Sequence, residues 1–144
     1  MLKVSVPIPY RQAVERYVKK LIRRIKPRAI ILYGSVARGR QGVGSDIDIL
    51  VISEHLPSNF LERLKTLFEL NNSTAPIEAV AYTPQEFQHM TVKTHLTALS
   101  AFEEGMILYD DGFFQQQKER YNQIKNDINL VRVEGGWERR LKPA

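Results

Sequence analysis

Apolar positions along this chain recur at two spacings, and the change from one spacing to the other marks its elements. Over residues 10–26, Val14, Tyr17, Val18, Leu21, Ile22 and Ile25 fall three or four apart, which lines one face of a helix. The other face carries Arg11, Arg16, Lys19, Lys20, Arg23 and Arg24, and reads as a solvated face or one that recruits an acidic partner. Pro7 and Pro9 restrict the backbone ahead of it, so residues 1–9 read as an irregular lead. A short apolar run follows at residues 30–33, and Ile47, Ile49, Leu50, Val51 and Ile52 repeat it, the pattern of strands buried on both faces. Phe60, Leu61, Leu64, Leu67 and Phe68 return to helical spacing, and residues 77–82 form a third strand-like run. A helix between two strands acts as a crossover. The prediction is therefore α/β, a mixed sheet flanked by helices.

Beyond the third strand, Thr83, Pro84 and Glu86 spell a capped helix start, with Phe87 and Met90 as its first packing residues. Leu96, Leu99 and Phe102 predict a further helix over residues 93–104, ended by Gly105, and residues 106–109 an edge strand. Asp110, Asp111 and Gly112 read as a turn, because adjacent acids point in different directions and Asp-Gly favours turning. Phe114, Gln117, Tyr121, Ile124, Ile128 and Val131 predict one helix over residues 113–131. In the tail, Gly135, Gly136 and Trp137 precede Arg139, Arg140 and Lys142, and Trp137 either folds back or anchors an interface. No composition break divides the chain. One domain over residues 1–144 is expected, with its core at about 10–110 and a C-terminal helix and tail at about 113–144.

Two acids interrupt the second strand. Asp46 and Asp48 are two apart, so in an extended chain they project to the same side about 6–7 Å from one another. Carboxylates at that separation repel and lose hydration unless a cation stands between them. A hard divalent ion such as Mg2+ takes oxygen ligands and leaves positions for substrate phosphates, so a magnesium-bound nucleotide fits the pair. Upstream, Gly34 and Ser35 follow the first strand, and residues 36–38 can open a short helix. Free backbone N–H groups there, a glycine that permits close approach and a serine hydroxyl together suit a phosphate. Arg38 and Arg40 either steady phosphate charge or remain in solvent. Glu78, near the start of the third strand, comes toward the aspartates if that strand pairs beside the second. It is then a third ligand or general base, or else a strand-end charge in water.

Gly34-Ser35, ten intervening residues and Asp46-Ile47-Asp48 resemble the signature of the polymerase β nucleotidyltransferase superfamily. The fuller text, from Gly-Ser-Val-Ala-Arg-Gly to Ser45-Asp46-Ile47-Asp48-Ile49, is most similar to its minimal branch, small proteins often encoded beside a HEPN-type toxin. The resemblance implies a polymerase β-like fold, with Asp46, Asp48 and Glu78 as catalytic metal ligands, although the family's third acid is usually aspartate. It implies Gly34, Ser35, Arg38 and Ser45 as nucleotide-binding residues, Mg2+ as cofactor and ATP as donor. The reaction implied moves AMP to an acceptor hydroxyl, in the toxin-linked branch a tyrosine of the HEPN partner, so that the protein acts as an antitoxin. Alternatives are a nucleotide-binding antitoxin that neutralises by contact, and nucleotide addition to RNA ends.

Composition narrows the classes. The 144 residues are 43% hydrophobic and 26% charged, ordinary for a soluble globule, and suffice for one core. The absence of cysteine excludes a disulfide framework and a thiolate metal site. His55, His89 and His95 lack the spacing of a helical ligand pair. No apolar run reaches a membrane span and no signal-peptide pattern opens the chain, so a cytoplasmic protein is expected. A net charge of +5 and a pI near 9.6 attract nucleotides, nucleic acids or acidic proteins without choosing among them. Nucleic acid is the less favoured partner, and a homo-oligomer stays open.

Overall fold

The computed structural model describes residues 8–39 and 46–140. The lead over residues 1–9 thus falls mostly outside the described residues, as do Arg40, Ser45 and Lys142. The chain runs through α1 (Arg11–Ile25), β1 (Ala29–Tyr33), the single turn α2 (Gly34–Ala37), β2 (Ile47–Ile52), α3 (Phe60–Glu69) and β3 (Ile77–Tyr82). It continues through α4 (Pro84–Val92), α5 (Leu96–Glu104), β4 (Met106–Asp110), α6 (Phe113–Ile128), β5 (Leu130–Val133) and β6 (Gly136–Arg139).

Four strands form a mixed sheet in the order β3-β2-β1-β4. The connection through α3 makes β2 and β3 parallel, whereas β1 runs antiparallel to β2 and β4. The central strands carry the doubly buried runs expected of them: Ala29 to Leu32 and Ile49 to Ile52 have no exposed surface. Their alternation feeds two cores. Ile30, Leu32, Ile47, Ile49 and Val51 meet Val14, Leu21 and Leu67 from α1 and α3 on one face. Ile31, Leu50 and Ile52 meet Phe87, Leu99, Phe102, Phe114 and Tyr121 from α4, α5 and α6 on the other.

Local chemistry sets the helix ends. Thr83 Oγ1 accepts from the Glu86 N–H and the Glu86 carboxylate accepts from the Thr83 N–H, which closes the expected capping box of α4. The expected helix over residues 93–104 starts later, at Leu96. Thr94 adopts φ 52° and breaks the chain there, and His95 Nδ1 accepts from the Thr97 N–H as a cap. The acids ahead of α6 are a turn, as read: Asp110 Oδ1 accepts from the Gly112 and Phe114 N–H groups, and Asp111 Oδ2 from Arg28 Nε at 2.6 Å.

The largest difference among the described residues is in the last helix. The helical spacing was expected to carry it to residue 131, but α6 ends at Ile128 and Leu130–Val133 pair with Gly136–Arg139 as a hairpin. Asn129 takes the left-handed conformation, φ 50°, at the helix end, and Glu134 and Gly135 make the turn, with Gly135 at φ +83°. Trp137 folds back, partly buried against the second core beneath the Arg132 guanidinium, 5.1 Å from its ring centroid.

Candidate active site

The acids sit at the end of the sheet that the helices of the second core leave open. Asp48 is the second residue of β2 and projects on the same side as Leu50 and Ile52. Its cross-strand partners are Tyr33 on β1 and Glu78 on β3. Register neighbours share a face, so the parallel pairing brings Glu78 beside Asp48, as the sequence anticipated. Asp46 lies just ahead of β2 and is exposed, Glu78 is exposed and Asp48 is half-buried.

These positions leave a mark on the chemistry. Burial, then Glu78, then Asp46 push the Asp48 carboxyl up to about 6, against an opposing pull from Arg38. Burial and then Asp48, Tyr82 and Glu78 push the Tyr33 phenol up to about 12, so it stays neutral beside the acids. Asp48 is thus surrounded by negative charge on two sides. Among the described residues no three His, Cys, Asp or Glu side chains stand close enough to enclose a metal ion by themselves.

Opposite the acids, the chain leaves β1 in a turn that only glycine fills well. Gly34 has φ +76°, and a Cβ placed on it would run into the Asp48 carboxylate. The backbone and Asp48 therefore approach with no side chain between them, and Ser35 follows directly. The short helix begins at Gly34 rather than two residues later, and Arg38 ends it. At four residues α2 carries little macrodipole, so what it offers an anion is local N–H groups and a hydroxyl. A glycine cradle against a like-charged carboxylate set is a surface that accepts a cation carrying an anionic ligand.

Arg38 lies near enough to act on Asp48 and also pairs with an acid of α5. Its Nε lies 3.2 Å from Glu104 Oε2 as an ion pair without hydrogen-bond alignment, and Arg132 Nη1 donates to Glu104 Oε1. Glu104 and Tyr33 are neighbours of the site that the sequence did not disclose. Glu104 gives no local signal at the end of an amphipathic helix, and Tyr33 reads only as the last residue of an apolar strand. His55, His89 and His95 stay outside the site, and the described residues hold no metal-ligating group that includes them.

With the geometry in place, the chain can be compared with known proteins. A family model described as nucleotidyltransferase domain matches residues 14–133. The chain belongs to that family. The resemblance drawn from the Gly34-to-Asp48 motif is thereby borne out, and the mixed sheet with flanking helices is the fold expected of it. Among solved structures, a chain of a toxin-antitoxin complex crystallised with AMP-PNP is 21% identical, with a TM-score of 0.50 over 80% of this chain and 91% of that one. A Sulfolobus solfataricus chain assigned as a nucleotidyltransferase is 15% identical, with a TM-score of 0.51 over 69% of this chain and 79% of that one. No curated protein matches the sequence.

Proposed function

We propose that this chain, acting as a single cytoplasmic domain, transfers AMP from ATP to an acceptor hydroxyl, a tyrosine of a HEPN-type toxin, and thereby serves as an antitoxin. The observation that supports this most is the packing of the Gly34 turn onto Asp48, with Glu78 paired beside it. A structure of similar fold from a toxin-antitoxin complex was solved with AMP-PNP, which also suits an acceptor on a partner protein.

In this mechanism the Ser35 hydroxyl and the N–H groups of the Gly34 turn donate to the triphosphate, and Ser45 adds a donor from the connection ahead of Asp46. Asp46 and Asp48, with Glu78 as third acid, would hold Mg2+ together with phosphate oxygens. When bound, the ion neutralises charge on the attacking and leaving oxygens. Arg38 reaches the phosphates by sharing or leaving Glu104. The acceptor oxygen bonds to the α-phosphorus as the bond to the bridging oxygen breaks, and pyrophosphate departs. The hydroxyl proton passes to an oxygen of Glu78, whose exposed position leaves it open to an acceptor. The remaining contribution is positioning, since in-line displacement is governed by alignment and charge.

The test is the intact mass of a HEPN toxin after incubation with this protein, ATP and Mg2+, where an added AMP on the toxin is expected. Replacing Asp46 and Asp48 by Asn should abolish both the mass increase and neutralisation while the fold and the toxin complex persist. Undiminished neutralisation by that variant would replace this reading with a contact antitoxin, and template-free extension of labelled RNA would replace it with RNA-end addition.

A further inference from the structure

A dense run of positive charge lies on α1, on the face of the sheet opposite the acids. Arg16, Lys19, Lys20 and Arg23 recur at i, i+3, i+4 and i+7 on α1, which puts them along one face about 10 Å long. They line a cleft of about 320 Å³ against Leu70 and the turn at Asn71 to Ser73. None of the four has an acidic partner among the described residues. Like charges at this spacing repel, so the face is improved by any counter-charge that enters the cleft.

A second cleft of about 390 Å³ adjoins the first at Tyr17 and is of opposite character. Leu64, Phe68 and the outer edge of β3 from Ile77 to Val80 line it, and Glu78 is among its walls. Phe68 is 77% exposed and its helix neighbour Leu61 74%. Along β3, Ile47 N–H donates to Pro76 O and Ser53 N–H to Tyr82 O. The alternation of a parallel ladder then directs residues 77, 79 and 81 away from β2. Ile77 N–H and Ala81 O find partners in Ala75 O and Arg63, and Ala79 is left facing the cleft.

The basic and apolar clefts share Tyr17 on the α1 and α3 face of the sheet, and the apolar one reaches the edge strand at Glu78, whose side chain projects beside Asp48 on the opposite face. We infer that the clefts form one docking surface for a partner protein, whose acidic segment lies on α1 and whose apolar side chains pass over Phe68 and then around the β3 edge, bringing an adjoining hydroxyl to the acids. This rests on the reading that the acceptor is a protein. A polypeptide suits the pair of clefts because the apolar one offers aliphatic walls and an open strand edge. The ring within the basic cleft, Tyr17, is buried with its hydroxyl donating to Leu67 O at 2.8 Å, so the cationic face itself gives bases no stacking platform, and the oligonucleotide probe tests the exposed rings at its margins, Tyr10 and Phe68.

The experiment uses the whole chain and three fluorescent probes: a peptide of alternating Glu and Leu carrying one Tyr, its Lys and Leu counterpart, and a uridine oligonucleotide. Binding by anisotropy should favour the acidic peptide. The pair Lys20→Glu with Arg23→Glu should weaken it about tenfold or more, and Phe68→Ser about threefold or more. All three positions are surface sites, so unchanged thermal melting verifies the fold. Tighter binding of the oligonucleotide, or peptide binding indifferent to either variant, overturns the proposal. AMP transfer to the peptide's tyrosine is read separately. Binding that follows the variants without transfer keeps the surface and removes the reaction, whereas transfer undiminished in the variants keeps the reaction and removes the surface.

Discussion

The acid end of the sheet and the aromatic layer behind it are built from the same strands on opposite terms. In the aromatic layer Phe102 is 3% exposed and meets Tyr121 at 4.8 Å, Phe114 at 5.1 Å and Phe87 at 5.4 Å between ring centroids. These ring contacts lower the free energy of the isolated chain. At the acid end Asp48 faces Glu78 and Asp46, a glycine is held at φ +76°, and burial works against the carboxylate. That arrangement is unfavourable until a counter-charge arrives. One region holds the fold, and the other uses stability the first supplies.

The comparison breaks most plainly through activity. Asp48→Asn should lower nucleotidyl transfer about a thousandfold, equal to about 4 kcal/mol of transition-state stabilisation, with the secondary structure unchanged by circular dichroism. Transfer within a few-fold of the parent would show that the acid end is not a reaction centre. Phe102→Ala is the converse. It should cost about 3 kcal/mol in denaturant unfolding, because three rings lose a shared partner and close the gap only in part, yet leave transfer per folded molecule unchanged.

The two regions also differ in how far the sequence disclosed them. Residues 30–33 and 47–52 were legible because strands buried on both faces carry dense apolar runs, and Asp46 and Asp48 stood out at the start of the second. Glu78 could be placed because a single crossover helix left few ways to pair β3. Glu104 beside Arg38 and Tyr33 beside Asp48 could not, since each depends on strand register or helix placement that no local pattern encodes. The C-terminal hairpin was hidden for another reason. Ile124, Ile128 and Val131 continue a helical spacing past the point where Asn129 turns left-handed. The alternation from Leu130 to Val133 before two glycines was the stronger signal.

Stability against pH sharpens the contrast. The Asp48 carboxyl has a folded pKa of about 6, above its ordinary 3.8, so the folded protein binds the proton more tightly. That contribution is complete below about pH 4 and is lost as pH rises through 6. The two values bound the loss at about 3 kcal/mol, and water at the carboxylate trims it to about 1–2 kcal/mol. Without divalent ions, Asp48→Asn should therefore stabilise the protein by that amount at pH 7 and by nothing at pH 4, measured by thermal melting in both buffers. Mg2+ with AMP-PNP should raise the melting temperature of the parent and leave the variant nearly unmoved. Equal stability of the two proteins at both pH values would mean that the acids do not oppose one another.

The smallest expected effect asks whether the two regions are connected. Trp137 lies under Arg132, Arg132 donates to Glu104, and Glu104 pairs with Arg38 beside the glycine turn. Trp137→Ala removes the ring that holds the Arg132 guanidinium and part of the cover over the second core, which should cost about 1 kcal/mol of stability. Glu104 is 16% exposed at its side chain and keeps Arg38 as partner, so the pair nearest the site survives the loss. Nucleotide affinity, read by AMP-PNP titration, should then change by less than about twofold, since an exposed cation two contacts removed acts weakly through water. A larger change, with the fold intact, would make the hairpin part of the nucleotide site. The aromatic layer would then position Arg38 through Glu104, and the division between a supporting region and a reacting one would have to be redrawn to place the C-terminal strands among the groups that set phosphate binding.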